Sequence, residues 1–534
     1  MRLLLIAPQS NAQTEYSRLS ASVENRDFIT RVASAAIATI AALAPSDFEI
    51  ILCDEAVTPV DFDCDADVVG VTANVSQALR AIDIAAGFRA RGKTVVVGGP
   101  HVSLAPQLFE GAADCLIVGE FEPIAQTVFA DMRRGTLKGR YDGTKADLNL
   151  SPMPRWDLYP NDRAVSGVVQ TSRGCPFECH FCDVIQYLGR NQRHKGDAQV
   201  VAEIQNLYDC GYNFISLADD NFTVFRKRAK SLLRAIAAWN GTQGRDWVTF
   251  ATQMSIDAAR DDELLALCNE AGLLNAFVGI ESDNEASLAE SGKRQNMRID
   301  IAGEVRKIVA HGLRVEAALM VGFDHDDRGC FERQFDFAMT LPTGAFNVSV
   351  LVAPVATPLY AAMVAQGRLV SDEVMSQFPS ANLITNITPA QMSRSELYVG
   401  AKWLISKLFA PDNFYARIER MSEILAPPPW VQSDSGRRYW HPNRQRSTAL
   451  YATVLRRLAR RDPEIARLIR RVRILMLARP EIRDGLNDAL SHYAMTLRSY
   501  ELSGVYDRNW ARLDAPPFEA PTSDARLERI RLQA

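Results

Sequence analysis

Short apolar runs alternate along this chain with longer stretches whose apolar residues recur at helical spacing. In the first ~145 residues the candidate strands are Arg2–Ala7 (RLLLIA), Phe48–Cys53 (FEIILC), Asp67–Thr72 (DVVGVT), Lys93–Gly98 (KTVVVG) and Asp114–Gly119 (DCLIVG). Their near-continuous Val, Ile and Leu content suits strands buried on both faces, and so predicts a parallel sheet with helices on either side. Sheets of this kind take ligands at the carboxyl ends of their strands. The polar, proline-bearing stretch DLNLSPMPRWDLYPNDRA then breaks the pattern and reads as a linker. From Ser166 a second series follows, with strands expected at 167–172, 214–219, 247–252, 276–281, 315–322 and 347–353. Helical stretches such as Gln199–Cys210, Asp261–Ala271 and Asp300–Ala310 lie between them. Six βα units in ~200 residues predict a partial barrel, whose working residues sit at the strands' C-terminal ends. After about residue 370 the strand pattern stops and the chain reads as helical, interrupted by APPPW (Ala426–Trp430).

The expected fold class is therefore α/β. It comprises an N-terminal Rossmann-like doubly wound sheet (1–145), a linker (146–165), a central partial (β/α)6 TIM-type barrel (166–370) and a C-terminal helical domain (371–534). A chain of 534 residues is too long for one core, in keeping with several domains. With 47% hydrophobic residues, 23% charged residues and a net charge of −4, the composition is that of a soluble globular protein and gives no sign of a nucleic-acid partner. MRLLLIAP is too short for a signal peptide, and no apolar run approaches the roughly 20 residues of a membrane span. Nine cysteines without a secretion signal point to a reducing cytoplasm, where clustered thiols mean metal or catalysis. Eight arginines between Arg456 and Arg473 could suggest phosphate binding, but the Leu, Ile and Val interleaved with them at helical spacing favour a solvated basic face on a packed helix.

The chemistry is concentrated in TSRGCPFECHFCDV (Thr171–Val184), which carries Cys175, Cys179 and Cys182 and no fourth cysteine nearby. Three thiolates on a four-iron cluster leave one iron free to bind a small molecule, by the logic that keeps a catalytic zinc site open. A zinc site would need a fourth ligand, for which His180 is the local candidate. Zinc sites, however, usually build from two separated ligand pairs. The spacing favours the open iron–sulfur site.

Cys175-x-x-x-Cys179-x-Phe181-Cys182, with an aromatic residue before the third cysteine, resembles the radical S-adenosylmethionine (SAM) signature. The resemblance implies a 4Fe-4S cluster on these three cysteines, with SAM on the open iron. Reductive cleavage of SAM would then give a 5′-deoxyadenosyl radical that abstracts hydrogen from substrate. It also implies the partial barrel. ADDNF (Ala218–Phe222) falls where the superfamily contacts the SAM amino group, which implies Asp219 and Asp220. Gln253, Ser255, Glu281 and Ser282 fall where ribose and carboxylate are met. The same residue types also serve as helix caps and turn formers.

The first domain lacks G-x-G-x-x-G after its first strand and reads IAPQSNAQ instead. It does carry GGPHVSLAP (Gly98–Pro106) and VGEFEP (Val118–Pro123), and paired glycines at a strand end let a bulky ligand approach the backbone. In order and spacing these motifs, with SPMPRWDLYP and VAPVATPLYAAMVAQGRL, resemble radical SAM enzymes fused to a cobalamin-binding domain. NITPAQMSRSELYVGAKWLISKLFAPDNFYARI resembles the helical extension of one such subgroup, so the likeness runs to about residue 430. It implies cobalamin contacts at Thr72, Asn74, Gly98, Gly99, Pro100, His101, Gly119 and Glu120. Two departures stand out. There is no D-x-H-x-x-G, so His101 reads as a turn residue rather than a cobalt ligand, and TRVASAAIATIAALAP replaces the family's frequent Pro-Pro-x-Gly-Leu. Methylthiotransferases are a competing class, with three further cysteines in the first domain and an RNA-binding β-barrel. Here Cys53 and Cys115 fall inside apolar strands, where cysteine behaves as a small hydrophobe, and the tail is helical.

The expected function is a cobalamin-dependent radical SAM methyltransferase acting on an unactivated carbon, or on phosphorus. Its cofactors would be a 4Fe-4S cluster, SAM and cobalamin, and an external flavodoxin- or ferredoxin-type reductant would serve it. Whether the substrate is a small molecule or a peptide is not legible. The alternatives are a non-methylating cobalamin-binding radical SAM enzyme (rearrangement, ring contraction, cyclisation or oxidation) and a non-catalytic iron–sulfur protein. The full barrel and ADDNF argue against the last.

Overall fold

The computed structural model describes residues 1–10, 30–370, 383–431 and 442–519. The expected start of the helical domain at 371 and its last residues, 520–534, lie outside the described residues.

The N-terminal segments supply β1 (Arg2–Ala7), β2 (Thr30–Val32), β3 (Glu49–Asp54), β4 (Val68–Thr72), β5 (Thr94–Gly98), β6 (Cys115–Gly119) and β7 (Arg140–Gly143). All but β2 form one parallel sheet in the order β3-β1-β4-β5-β6-β7. Its central strands are buried on both faces, which is what their unbroken Val/Ile/Leu runs require. The edge strand β7 (RYDG) has no such run. Only Tyr141 is buried there, its hydroxyl donating to Asp131 at 2.6 Å, so periodicity does not reveal the strand. Gly119, at φ +85°, has no room for a Cβ, which would overlap the Gly143 carbonyl across the β6–β7 pair. Gly119→Ala should therefore destabilise the sheet by about 1–3 kcal/mol or more. The check is a fall in the thermal midpoint that Gly111→Ala, whose Cβ would meet only open space, does not match beyond the cost of its own positive φ.

The second sheet comprises β8 (Ala164–Val169), then β11 (Phe214–Leu217), β12 (Thr249–Met254), β13 (Leu273–Glu281), β14 (Arg314–Val321) and β15 (Ala345–Val350). Between β8 and β11 lies the antiparallel ribbon of β9 (Ser172–Arg173) and β10 (Arg193–His194). The sheet is parallel in the order β15-β14-β13-β12-β11-β8-β2, an open, curled partial barrel. Its seventh strand is β2, paired to β8 through Thr30↔Ala164 and Val32↔Ser166. Three residues, two of them exposed, carry no periodic signal, so this strand is absent from the expectation. β8 begins and ends about three residues earlier than expected. Its end is set by Asp219, whose carboxylate takes the Thr171 and Ser172 N–H groups at 2.8 Å each and draws them out of the ladder, while its start at Ala164 pairs with Thr30 of β2.

Helices Asp197–Asp209, Arg226–Trp239, Asp262–Ala271, Ile301–Ala310 and Cys330–Thr340 alternate with the barrel strands. Asp261 and Asp300 cap two of them, taking the N–H groups of Leu264 and Gly303. The barrel interior is not filled by layered side chains. Ser166, Asn275, Arg314, Glu316 and Asn347 line a lumen of about 1910 Å³, walled on its open side by the helix Arg483–Leu502. Arg314 donates to Asn275 Oδ1 at 2.9 Å and to Asp488 of that helix at 3.2 Å. Buried Arg417, on the helix Pro411–Ile424, ties the helical region to the barrel by donating to Thr343 O at 3.1 Å and Leu408 O at 2.8 Å. Among the described residues no helix is long and apolar enough to cross a membrane.

Candidate functional site

The loop after β8 carries the three cysteines and is held by hydrogen bonds to its neighbours and within itself. Cys175 N–H donates to Gly189 O at 3.3 Å, Cys182 N–H to Cys179 O at 3.1 Å, and His180 N–H to Ser291 O at 2.9 Å. The aromatic before the third cysteine, Phe181, packs against the apolar cluster around Phe323, Leu351 and Met363 and anchors the loop. All three cysteines are free thiols, with Cys179 buried and the other two half-buried. Burial pushes the Cys182 thiol up to about 12 and raises Cys175 in the same direction. Thiols so placed ionise only if a strong positive charge arrives, which is what a metal cluster supplies. Among the described residues no three His, Cys, Asp or Glu side chains converge on a single-ion site. The three cysteines are near enough to couple electrostatically. His180 is engaged elsewhere, its Nδ1 lying 2.8 Å from Glu290 O.

Of the two aspartates, Asp219 is buried and fully used on Thr171 and Ser172, with Arg228 at 3.8 Å. It shapes the loop and has no free oxygen to offer a ligand. Asp220 accepts only the Gly174 N–H, at 2.9 Å, and burial pushes its carboxyl up to about 6. Its charge is felt at Cys175, so it borders the thiols. Gln253 projects from the end of β12 into the barrel lumen. Ser255 is bonded to Asp257 and Ser282 to the Asn284 N–H, so both act as turn formers.

Glu281 occupies an unusual backbone position, at φ +67° beside a register shift in the β13–β14 pair. Asn296 Nδ2 fixes the distortion by donating to Gly279 O at 2.9 Å and Ile280 O at 2.8 Å, and Gln334 Nε2 donates to Glu281 O at 3.0 Å. The bulge turns the carboxylate toward Lys293, which donates to it at 2.7 Å. Gly279 leaves the space for this pair, since a Cβ there would lie 2.6 Å from Lys293 Nζ. Burial pushes the Lys293 ammonium down, but Glu281 and Cys179 outweigh it and hold it above the usual lysine range. Lys293 thus contacts Glu281 and is electrostatically coupled to the thiols. A single lysine in SGKRQN carries no signature, so only the fold brings it into view.

A second cavity, of about 340 Å³, lies between the carboxyl edge of the first sheet and the cysteine loop. Thr72, Gly98, Gly99, Pro100, Gly119 and Glu120 line one side, and Gln170, Arg173, Tyr187 and Leu188 face them. Two of the residues expected here are used elsewhere. Asn74 caps the turn Val75–Gln77, and buried His101 packs edge-on against Phe109. Gly99, at φ +110°, serves its turn, since a Cβ would meet Ala73 and Thr72 at 2.8 Å rather than the cavity. Glu120 receives Arg173 at 2.8 Å and Arg193 at 2.6 Å, while Arg173 also reaches Glu122 at 2.6 Å. Burial acts against the charged Glu120, but the two guanidiniums hold it below the usual carboxylate range. This buried network, rooted in the residue two before Cys175, locks the cysteine loop to the first sheet. Val168 and Ala218 border both this cavity and the barrel lumen.

A barrel opened at one side, with a three-cysteine loop after its first strand, defines a class of iron–sulfur radical enzyme. Residues 169–338 match the radical SAM superfamily, and residues 357–469 match a domain of unknown function, DUF4070. An uncharacterized methyltransferase of Synechocystis sp. is 33% identical over 400 residues, 73% of each chain. The hopanoid C-2 methylase of Rhodopseudomonas palustris is 30% identical over 345 residues, 62% of this chain and 64% of that one. The solved structure of TsrM, a radical S-adenosylmethionine methyltransferase from Kitasatospora setae with cobalamin and a 4Fe-4S cluster bound, superposes with a TM-score of 0.59. It does so at 16% identity, over 86% of this chain and 99% of that one, which is a likeness of fold. The chain belongs to the family of radical SAM methyltransferase-like enzymes.

Proposed function

We propose that this enzyme is a cobalamin-dependent radical SAM methyltransferase that methylates an unactivated carbon or phosphorus atom. The observation that carries the reading is the shared wall of Val168 and Ala218. It places the cysteine loop, the glycine-lined edge of the first sheet and the barrel lumen around one junction. In this reading Cys175, Cys179 and Cys182 hold a 4Fe-4S cluster, and Asp220, Gln253, Glu281 and Lys293 surround SAM. The cavity of about 340 Å³ takes a face of cobalamin, within the roughly 300–1,000 Å³ range of ligand sites. Among the described residues no histidine lines that cavity, so the residues that would hold cobalamin there offer no imidazole. When bound, the cluster and SAM supply a hydrogen-abstracting radical and the cobalamin supplies the methyl group. The protein's own part is to orient the partners and exclude water. Asp220 and Glu281 offer carboxylates to an ammonium, Lys293 offers an ammonium to a carboxylate, and the Arg173–Glu120 network keeps the two cavities in register.

The test is anaerobic reconstitution with iron, sulfide and cobalamin, followed by SAM and a chemical reductant. Bound cobalamin, a broad iron–sulfur absorbance and 5′-deoxyadenosine are expected. Loaded enzyme that yields no 5′-deoxyadenosine with candidate substrates present would sink the radical mechanism. Cleavage without any cobalamin uptake would remove methyl transfer alone.

A further inference from the structure

We propose that the outward face of the helix Pro463–Ala478 docks on a membrane surface containing anionic phospholipid, beside the end of the barrel lumen that Pro480, Glu481 and Arg483 line. The helix buries Ile465, Leu468 and Val472 inward, as its periodicity predicts. Arg467, Arg470, Arg473, Ile474 and Leu477 fall together on the opposite face at 3.6-residue spacing. Ile474 is 64% exposed and Leu477 82% exposed, an unusual state for two aliphatics one turn apart. Among the described residues, most of the arginines around them have no counter-charge in contact. Arg460, Arg461, Arg467, Arg470 and Arg473 have neither a hydrogen bond nor an ion pair among the described residues. Arg471, one step toward the packed side, pairs with Asp412 at 2.9 Å and stacks over Tyr415. The nearest acidic groups are also taken, since Asp462 and Glu464 pair with Arg508 and Arg512.

Uncompensated guanidiniums on a chain of net charge −4 call for an anionic partner of their own. Both bilayers and nucleic acids are polyanions, and the two aliphatics decide between them. Leu477 and Ile474 gain nothing against a duplex, whereas at the headgroup–acyl boundary each buries its side chain while the arginines reach the phosphates. Position adds a second argument. Leu477 lies three to six residues before Pro480, Glu481 and Arg483, which line the lumen. A bilayer seated on this face would therefore lie beside that end of the lumen. The docking does not depend on the methyl-transfer reading.

The experiment is co-sedimentation of the full chain with phosphatidylcholine vesicles, with and without phosphatidylglycerol. Wild type should partition to the anionic vesicles only, and added salt should weaken it. At about five-fold per arginine, Arg467→Gln/Arg470→Gln/Arg473→Gln should weaken partitioning about 100-fold. Ile474→Ser/Leu477→Ser should weaken it about 100-fold or more. All of these are surface positions, and unchanged circular dichroism will show that the variants fold. The proposal is overturned if wild type binds neither vesicle, binds both equally, or is matched by the triple variant. It is likewise overturned if the face binds duplex DNA in a way that the arginine variant abolishes and the aliphatic variant leaves unchanged.

Discussion

Replacing Cys179 with alanine is expected to reduce iron and sulfide in the reconstituted protein to background and 5′-deoxyadenosine formation to below detection. Of the three cysteines, Cys179 is the most buried, and Gln295 Nε2 approaches its sulfur at 3.9 Å. Nothing in the loop's backbone depends on the thiol. His180 N–H is fixed by Ser291, Leu359 N–H by His180 O, and Cys182 N–H by the carbonyl of residue 179, all of which survive the change. The apo-protein should therefore melt within a few degrees of wild type, which separates loss of the cluster from loss of the fold. His180→Ala is the matched control. Because His180 Nδ1 already lies against Glu290 O, this variant should keep wild-type iron content. Iron retained by Cys179→Ala, or lost from His180→Ala, would reassign the ligand set.

What the sequence makes legible follows from how each feature announces itself. Buried parallel strands announce themselves as apolar runs, so β1, β3–β6 and the barrel strands lie close to their expected places. β2 and β7 are short, mostly exposed edge strands whose pairing is decided by tertiary contact, and no local pattern marks them. The cysteines stand out because three thiols in eight residues have few other uses. The polar residues at the strand ends are harder. Asp219 and Asp220 are adjacent and chemically identical, yet one is consumed by the Thr171 and Ser172 amides and the other faces the thiols. Which is which depends on the twist of the chain after β11. Asn74, Ser255 and Ser282 likewise have the residue types of ligands but are bonded as caps and turns. Arg173 and Lys293 are surface-type residues by composition. Their burial follows only from the way the first sheet and the segment after residue 290 fold against the cysteine loop.

Lys293→Met is expected to be the most damaging substitution outside the cysteines, and to act in two separable ways. Removing one partner of a buried ion pair leaves the other charge without compensation, which typically costs about 3–5 kcal/mol. Here the stranded group would be Glu281, held by Asn296 and Gln334 in a left-handed backbone position that gives its carboxylate little freedom to find water. Glu281→Gln/Lys293→Met removes both charges and should recover most of that stability, since a matched neutral pair carries no buried charge. SAM binding should not recover with it. If the pair receives the amino and carboxylate groups of SAM, both variants should bind SAM about 100-fold more weakly, the loss of one or two charge-assisted hydrogen bonds. Equilibrium dialysis measures the affinity. The electron paramagnetic resonance spectrum of the reduced cluster, which SAM should perturb in wild type and leave unchanged in the double variant, reports the contact independently of turnover. A double variant with wild-type affinity and a wild-type spectral response would confine Glu281 and Lys293 to holding the β13 bulge. SAM would then be met by Asp220 and Gln253, the two predicted residues whose side chains the fold leaves facing the barrel's mouth and lumen.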